Sequence, residues 1–242
     1  MSQHMTQKNA KQKYFIDIHK GATAPIILFL MYFYNQWENQ TAWIYLALHG
    51  TYGILWVLKS QMFPDKTWEQ PSSIWYGLYM WLGLTLYWVA PWIITSGYFS
   101  NGIGVQVPVW YSGICISMYS LGVFIHFTAD MQKHTSLKLK PCSLIHDGMF
   151  RRCRNINYFG ELLIYLGFSL LAMHWIPIAC LAAMMILVWF PNMRQKDSSL
   201  SRYPEFDSYR KQSYFFIPYL YYFSVDCQIG LIKPNQKRIS TP

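Results

Sequence analysis

The sequence predicts an all-α integral membrane protein with about six transmembrane helices. Two observations carry the prediction. The 242 residues are 53% hydrophobic and 19% aromatic but only 13% charged, roughly half the charged fraction usual in soluble domains. The cations are also segregated: residues 21–58, 67–129 and 155–193 contain no Lys or Arg. Uncharged apolar stretches of this length are membrane spans.

Hydropathy places the helices at 22–36, 41–59, 72–94, 107–129, 157–173 and 175–191. The first and the last two are short for a hydrocarbon core of about 30 Å. Only "MHWIP" separates the last pair, which reads as a tight helical hairpin with Pro177 opening the returning helix.

With six spans, both termini and the 60–71 and 130–156 segments lie on one side. All 20 Lys and Arg fall there, Lys59 being counted with the 60–71 loop. The opposite loops, "QWENQ" and "SGYFSNGIGVQ", carry none. The positive-inside rule then makes both termini cytoplasmic. The net charge of +9 is therefore confined to one face. It serves as a topology signal and attracts anionic headgroups.

The five cysteines form no CxxC or Cys/His metal pattern, so no metal site or disulfide framework is expected. The first 20 residues are polar and basic, unlike a signal peptide. There is no P-loop and no GxGxxG, so a nucleotide would be held by other means. The expected partners are the bilayer and a lipid within it, not nucleic acid.

Three cytoplasmic stretches carry polar chemistry. In "ADMQKHTSLKLKPCSLIHDGMF", Asp130, Gln132 and Lys133 lie at a helix exit and His146-Asp147-Gly148 reads as a turn. In "RRCRNINYFGELLIYLGF", Asn157, Glu161 and Tyr165 are four apart and share one helix face, with Tyr158 beside Glu161. Such a stripe should face the bundle interior or a water-filled cavity. Glu161 either pairs with an arginine and pins the hairpin or lines a ligand site. Asn157 alone could equally be an N-cap. The four residues together, beside Arg151, Arg152 and Arg154, fit a molecule with phosphates and an amide or ribose.

The third stretch is "MRQKDSSLSRYPEFDSYRKQSYFFIPYLY". It supplies Arg194, Lys196 and Asp197, then Arg202, Tyr203, Tyr209, Arg210 and Lys211. Guanidinium groups suit phosphate oxygens and aromatics can stack on a base. The same composition also suits a juxtamembrane stretch on anionic lipid, with "YFFIPYLYYF" dipping toward the bilayer.

These residues resemble the C-terminal half of the steroid 5α-reductase-like membrane enzymes, including a bacterial branch with a domain of unknown function. More distant likenesses are the sterol C14 and C7 reductases and the isoprenylcysteine and phospholipid methyltransferases. The resemblance spans roughly residues 130–221. Its most specific part is Arg154-Asn155-Ile156-Asn157-Tyr158-Phe159-Gly160-Glu161, where the family usually has proline in place of Ile156. That change loses a preset φ but no functional group.

The resemblance implies an enzyme of the endoplasmic reticulum or bacterial inner membrane. Residues 1–129 would form the substrate side and 130–242 the cofactor-binding hairpin and tail. The cofactor of the reductases is NADPH. By position, Asn157, Tyr158 and Glu161 would lie along its nicotinamide–ribose part. Arg154, Arg194, Asp197, Tyr209 and Arg210 would hold the phosphates and adenine, and Gly160 would admit the cofactor to the backbone. The methyltransferases instead use S-adenosylmethionine, with adjacent glutamates and a leucine after the last hairpin. This chain has Lys196-Asp197-Ser198-Ser199-Leu200 there. A sulfonium amino acid wants carboxylates and a pyrophosphate wants cations, so Lys196 beside Arg194 favours the dinucleotide.

The implied reaction is reduction of a carbon–carbon double bond in a steroid, sterol or other isoprenoid-like lipid. It needs an acid to complete hydride transfer. Tyr45, His49, Tyr52, Tyr76, Tyr79 and Tyr87 are the candidates, with none preferred. His126, one turn before Asp130, is a second intramembrane histidine that packing or function could explain.

Overall fold

The computed structural model describes residues 10–218. Six helices make up the body: α1 Gln12–Phe33, α2 Gln40–Met62, α3 Ile74–Ser96, α4 Val109–Leu139, α5 Ile156–Ala172 and α6 Trp175–Leu200. A short helix α7, Phe206–Gln212, follows on the surface. The strand pair β1 Ala10–Lys11 and β2 Pro71–Ser72 is antiparallel and ties the start of α1 to the α2–α3 loop.

Five of these helices are long and apolar enough to cross a membrane, and α5 is shorter. Trp75, Tyr79, Leu82 and Leu187 are exposed on the outside of the bundle. That suits lipid contact, and the chain is a multi-pass membrane protein.

Local chemistry explains the starts and stops. Asn39 caps α2 by accepting from the Ala42 N–H at 3.2 Å, and Ser73 caps α3 by accepting from Tyr76 at 3.2 Å. His174 caps α6, accepting from Ile176 at 3.3 Å, which leaves Pro177 within the first turn. Gly97 ends α3 in the left-handed region at φ 63°.

Three boundaries differ from the hydropathy reading. Helix α1 starts at Gln12, ten residues before the expected 22. Helix α4 runs ten residues past 129, and α6 nine past 191. Hydropathy registers where a helix leaves the hydrocarbon, not where its hydrogen bonds end. The polar turns 12–20, 130–139 and 192–200 continue as helix beyond it.

Within α2, residues Leu46–Gly50 form a π-helical turn, and within α3, Leu86–Trp88 form a 3₁₀ turn. Such interruptions often mark functional positions. Here they carry His49 and Tyr87, both buried.

Helices from both halves of the chain share one core. Ile27 and Met31 of α1, Tyr45 and Tyr52 of α2, and Ile94 of α3 meet Ile164 and Phe168 of α5. The tightest pairing is α4 against α5. A Cβ on Gly160 would lie 2.5 Å from the His126 N and 2.9 Å from the Gly122 O. Both are backbone atoms and cannot yield separately from the helix. Gly160→Ala should therefore force the helices apart and cost about 1–3 kcal/mol. Detergent melting of the full chain checks this, and an unchanged melting temperature would refute it.

Candidate functional site

Helix α5 enters the bundle through a latched corner. The Arg154 guanidinium is buried and donates through Nε to Asp197, 3.0 Å and 3.3 Å from the two carboxylate oxygens. Its Nη1 donates to the Ser213 carbonyl at 2.7 Å. Lys196 Nζ donates to the Arg154 carbonyl at 2.6 Å and to Asn155 Oδ1 at 3.1 Å. Asn155 Nδ2 donates to the Phe215 carbonyl at 2.8 Å, and the Tyr209 hydroxyl to the Phe150 carbonyl at 2.6 Å.

Arg154, Lys196, Asp197 and Tyr209 thus come together, and they hold residues 206–216 against the α5 entrance. Burial pushes the Tyr209 phenol well above its ordinary range, so it stays a donor. Burial likewise pushes the Cys153 thiol up to about 11, leaving it inert as a nucleophile. Arg194 and Arg210 remain exposed at the same edge. Of the expected dip "YFFIPYLYYF" toward the bilayer, residues 214–218 run along the α5 entrance with Phe216 buried against Phe159 and Phe190, and residues from 219 on fall outside the described residues.

One turn further in, the α5 stripe meets the other helices. The Tyr52 hydroxyl donates to Glu161 Oε1 at 3.4 Å. Lys20 Nζ donates to the Tyr165 hydroxyl. The Lys20 ammonium lies 4.6 Å from the Tyr52 ring centroid, 5.0 Å from Trp56 and Tyr165, and 5.8 Å from Tyr87. It is also within electrostatic reach of Glu161. Tyr87 stacks on Tyr165 at 4.1 Å.

The network continues toward α4. Trp56 stacks with His126 at 6.1 Å. His126 Nδ1 bonds the Asn157 carbonyl at 3.0 Å, and Nε2 lies 3.8 Å from Asp130 Oδ2. That carboxylate pairs with Lys59 at 2.7 Å, both side chains being under a tenth exposed.

Nearer the surface, Lys133 pairs with Asp65 at 2.7 Å. Burial pushes the Asp65 carboxyl up. The Lys133 charge and hydrogen bond, the Thr67 N–H and Lys59 outweigh it and hold the group well below the usual carboxylate range.

Within this network three buried polar atoms have no hydrogen-bond partner among the described residues: His126 Nε2, Asp130 Oδ1 and Asn157 Oδ1. Buried polar atoms are normally satisfied, and a group of exceptions calls for an explanation. Two of these are acceptors. They fit a ligand that brings N–H and O–H donors, as a carboxamide and a ribose do.

Asn157, Glu161 and Tyr165 share the interior face as expected. Asn157 is not the helix cap, because α5 starts at Ile156 with Asn155 in that place. Tyr158 turns toward α6, its ring 5.8 Å from Trp189. The neighbour that Gly160 admits is α4.

Among the candidate acids, Tyr52 and Tyr87 join the cluster. The Tyr45 hydroxyl bonds His49 Nδ1 at 2.9 Å, and Tyr76 and Tyr79 are exposed. Lys20 and Lys59 were missed as site residues because each bounds an uncharged run and so counts toward the cytoplasmic charge. Both are buried.

A family model described as "Protein of unknown function (DUF1295)" matches residues 4–213. The match takes in the helices before 130, beyond the stretch where sequence motifs carry the resemblance. Among curated proteins, none matches the chain. Matched over most of its length, the chain belongs to the DUF1295 family, a steroid 5α-reductase-like branch of membrane proteins.

Proposed function

We propose that the chain is a membrane-bound oxidoreductase that uses NADPH to reduce a carbon–carbon double bond of a steroid, sterol or other isoprenoid-like lipid. In this reading it lies in an endoplasmic-reticulum or bacterial inner membrane with both termini cytoplasmic. The observation that carries the reading is the buried polar network around Glu161. Ionisable groups inside a membrane bundle are costly and mark functional sites. This network combines a carboxylate, two cations and three phenols with the unsatisfied acceptors Asn157 Oδ1 and Asp130 Oδ1. The mixture suits proton transfer beside a donor-rich ligand.

Asn157 and Glu161 would hold the nicotinamide and ribose end, accepting from its N–H and O–H groups. Arg194 and Arg210, exposed beside the Arg154–Asp197 latch, suit the phosphates. When bound, NADPH supplies a hydride. The chain must supply the proton and stabilise the charge that develops on the lipid. The phenols of Tyr52, Tyr87 and Tyr165 are buried, with Tyr52 donating to Glu161, and the helices around them exclude bulk water.

The test is ligand-dependent stabilisation of the detergent-solubilised full chain. NADPH should raise the melting temperature through binding linkage, by about 2.7 kcal/mol of stability at a hundredfold excess over Kd. A panel of lipid enones should then drive NADPH oxidation. A shift with S-adenosylmethionine and none with NADPH would replace the reductase by a methyltransferase. No response to either would leave a lipid-binding or scaffolding protein.

A further inference from the structure

Lysine 20 is buried at 3% exposure, and its partner is unusual. Among the other interior or half-buried lysines of this face, Lys59, Lys133 and Lys13 reach the carboxylates of Asp130, Asp65 and Glu69, and Lys196 reaches the Arg154 carbonyl and Asn155 Oδ1. Lys20 instead donates to a phenol, Tyr165, and its ammonium sits among four aromatic rings. Desolvating an ammonium is costly, and cation–π contacts return only part of that cost. A lysine kept only for packing would be cheaper as methionine.

Tyr165 is the hub of the phenols. The Tyr87 ring stacks on it at 4.1 Å and the Tyr52 ring meets it edge-on at 5.7 Å. It lies one turn after Glu161 on the same face, and only 1% of it is exposed. Because the ammonium donates into the Tyr165 oxygen, negative charge left there on proton release is met at once by a fixed cation.

We infer that Tyr165 is the group that protonates the reduced lipid and that Lys20 is its positioning residue. The assignment rests on the reductase reading. Reduction of an enone consumes one hydride from a nicotinamide and one proton. As a C–H bond forms at the β-carbon, the C=C pair shifts to the bond between the α-carbon and the carbonyl carbon, and the C=O π pair moves onto the carbonyl oxygen. The Tyr165 O–H bond breaks and an O–H bond forms on that oxygen, giving an enol that tautomerises to the saturated ketone. The phenolate takes a proton from the Lys20 ammonium, and the amine regains one from solvent after product leaves. Protons and electrons balance, and no group beyond the nicotinamide is required.

The experiment uses the full chain in nanodiscs, with NADPH and a panel of lipid enones that includes 4-cholesten-3-one. Melting shifts with NADPH are recorded first for wild type, Tyr165→Phe, Lys20→Gln, Lys20→Met and Lys20→Arg. All should bind NADPH as wild type does. Tyr165→Phe should lower kcat by about 100-fold or more, the usual weight of a general acid. Lys20→Gln keeps a hydrogen-bond donor of similar size but removes the charge. It should lower kcat at least tenfold with KM within threefold, and Lys20→Arg should recover part of the loss.

Wild-type kcat in Tyr165→Phe overturns the assignment while leaving the reductase reading intact. Wild-type kcat in Lys20→Gln reduces Lys20 to packing, as does failure of every Lys20 variant to accumulate while Tyr165→Phe stays active. NADPH binding without turnover of any enone also refutes the assigned acid. A wild type that neither binds NADPH nor oxidises it with an enone removes the reading and the assignment together.

Discussion

Lys59→Met should destabilise the chain by about 3–5 kcal/mol, because it strands a buried carboxylate. Asp130 is 7% exposed and Lys59 is 5% exposed, with Nζ and Oδ2 2.7 Å apart. His126 Nε2 lies 3.8 Å from the same carboxylate oxygen, beyond hydrogen-bond distance, and does not replace the ammonium. Asp130→Leu should cost a comparable amount by stranding the lysine. The double variant Lys59→Met/Asp130→Leu should recover most of the loss, since replacing both members of a buried pair by apolar groups is often neutral or better. Thermal and denaturant unfolding in detergent would measure all three. Singles that each cost under about 1 kcal/mol would mean that solvent reaches the pair. A double variant as unstable as the sum of the singles would mean that the side chains contribute independently. Because Asp130 Oδ1 is also one of the unpartnered acceptors, the folded double variant should show a smaller NADPH shift than wild type.

The membrane character was legible in the sequence because uncharged runs between cationic segments leave few alternatives. The α5–α6 hairpin was legible because so short a connection, two residues between Ala172 and Trp175 in the fold, forces antiparallel neighbours. Helix ends were not legible, because polar residues continue a helix as readily as apolar ones once it leaves the lipid. That error hid Lys20. A helix starting at 22 puts Lys20 outside the bilayer edge, whereas one starting at Gln12 carries it more than two turns into the bundle.

The interior stripe Asn157, Glu161 and Tyr165 was visible from helical spacing alone. Its partners were not, since Lys20, Tyr52 and Tyr87 lie on three other helices. Glycine 160 shows the same limit in reverse. A glycine next to a polar motif signals close approach, but only packing reveals that the approaching backbone is α4. The latch residues Arg154, Lys196 and Asp197 have the chemistry of an anion site. In the fold they are engaged with one another and with backbone carbonyls.

Glu161→Gln should leave the bundle folded and weaken NADPH binding at least tenfold. Glutamine has the volume of glutamate, and its Oε1 can still accept from the Tyr52 hydroxyl that now reaches Glu161 at 3.4 Å. What it removes is the negative charge that balances Lys20 and any charge-assisted hydrogen bond to a ligand, which contributes about 1.5–3 kcal/mol. An energy of that size corresponds to a factor of at least ten in Kd. Fold and binding can be separated in one experiment: the apo melting temperature reports the first, and the NADPH-dependent increment reports the second. An increment equal to wild type would exclude Glu161 from the cofactor site. Collapse of the apo variant, together with no nucleotide response in the wild type, would make the glutamate a pin between α2 and α5. The two roles predict different partners for the Glu161 charge: Lys20 and Tyr52 alone in the second case, and those two plus a ligand donor in the first. Tyr52→Phe therefore completes the comparison. It removes the pin without touching the carboxylate, and it should lower the apo melting temperature while leaving most of the NADPH increment in place.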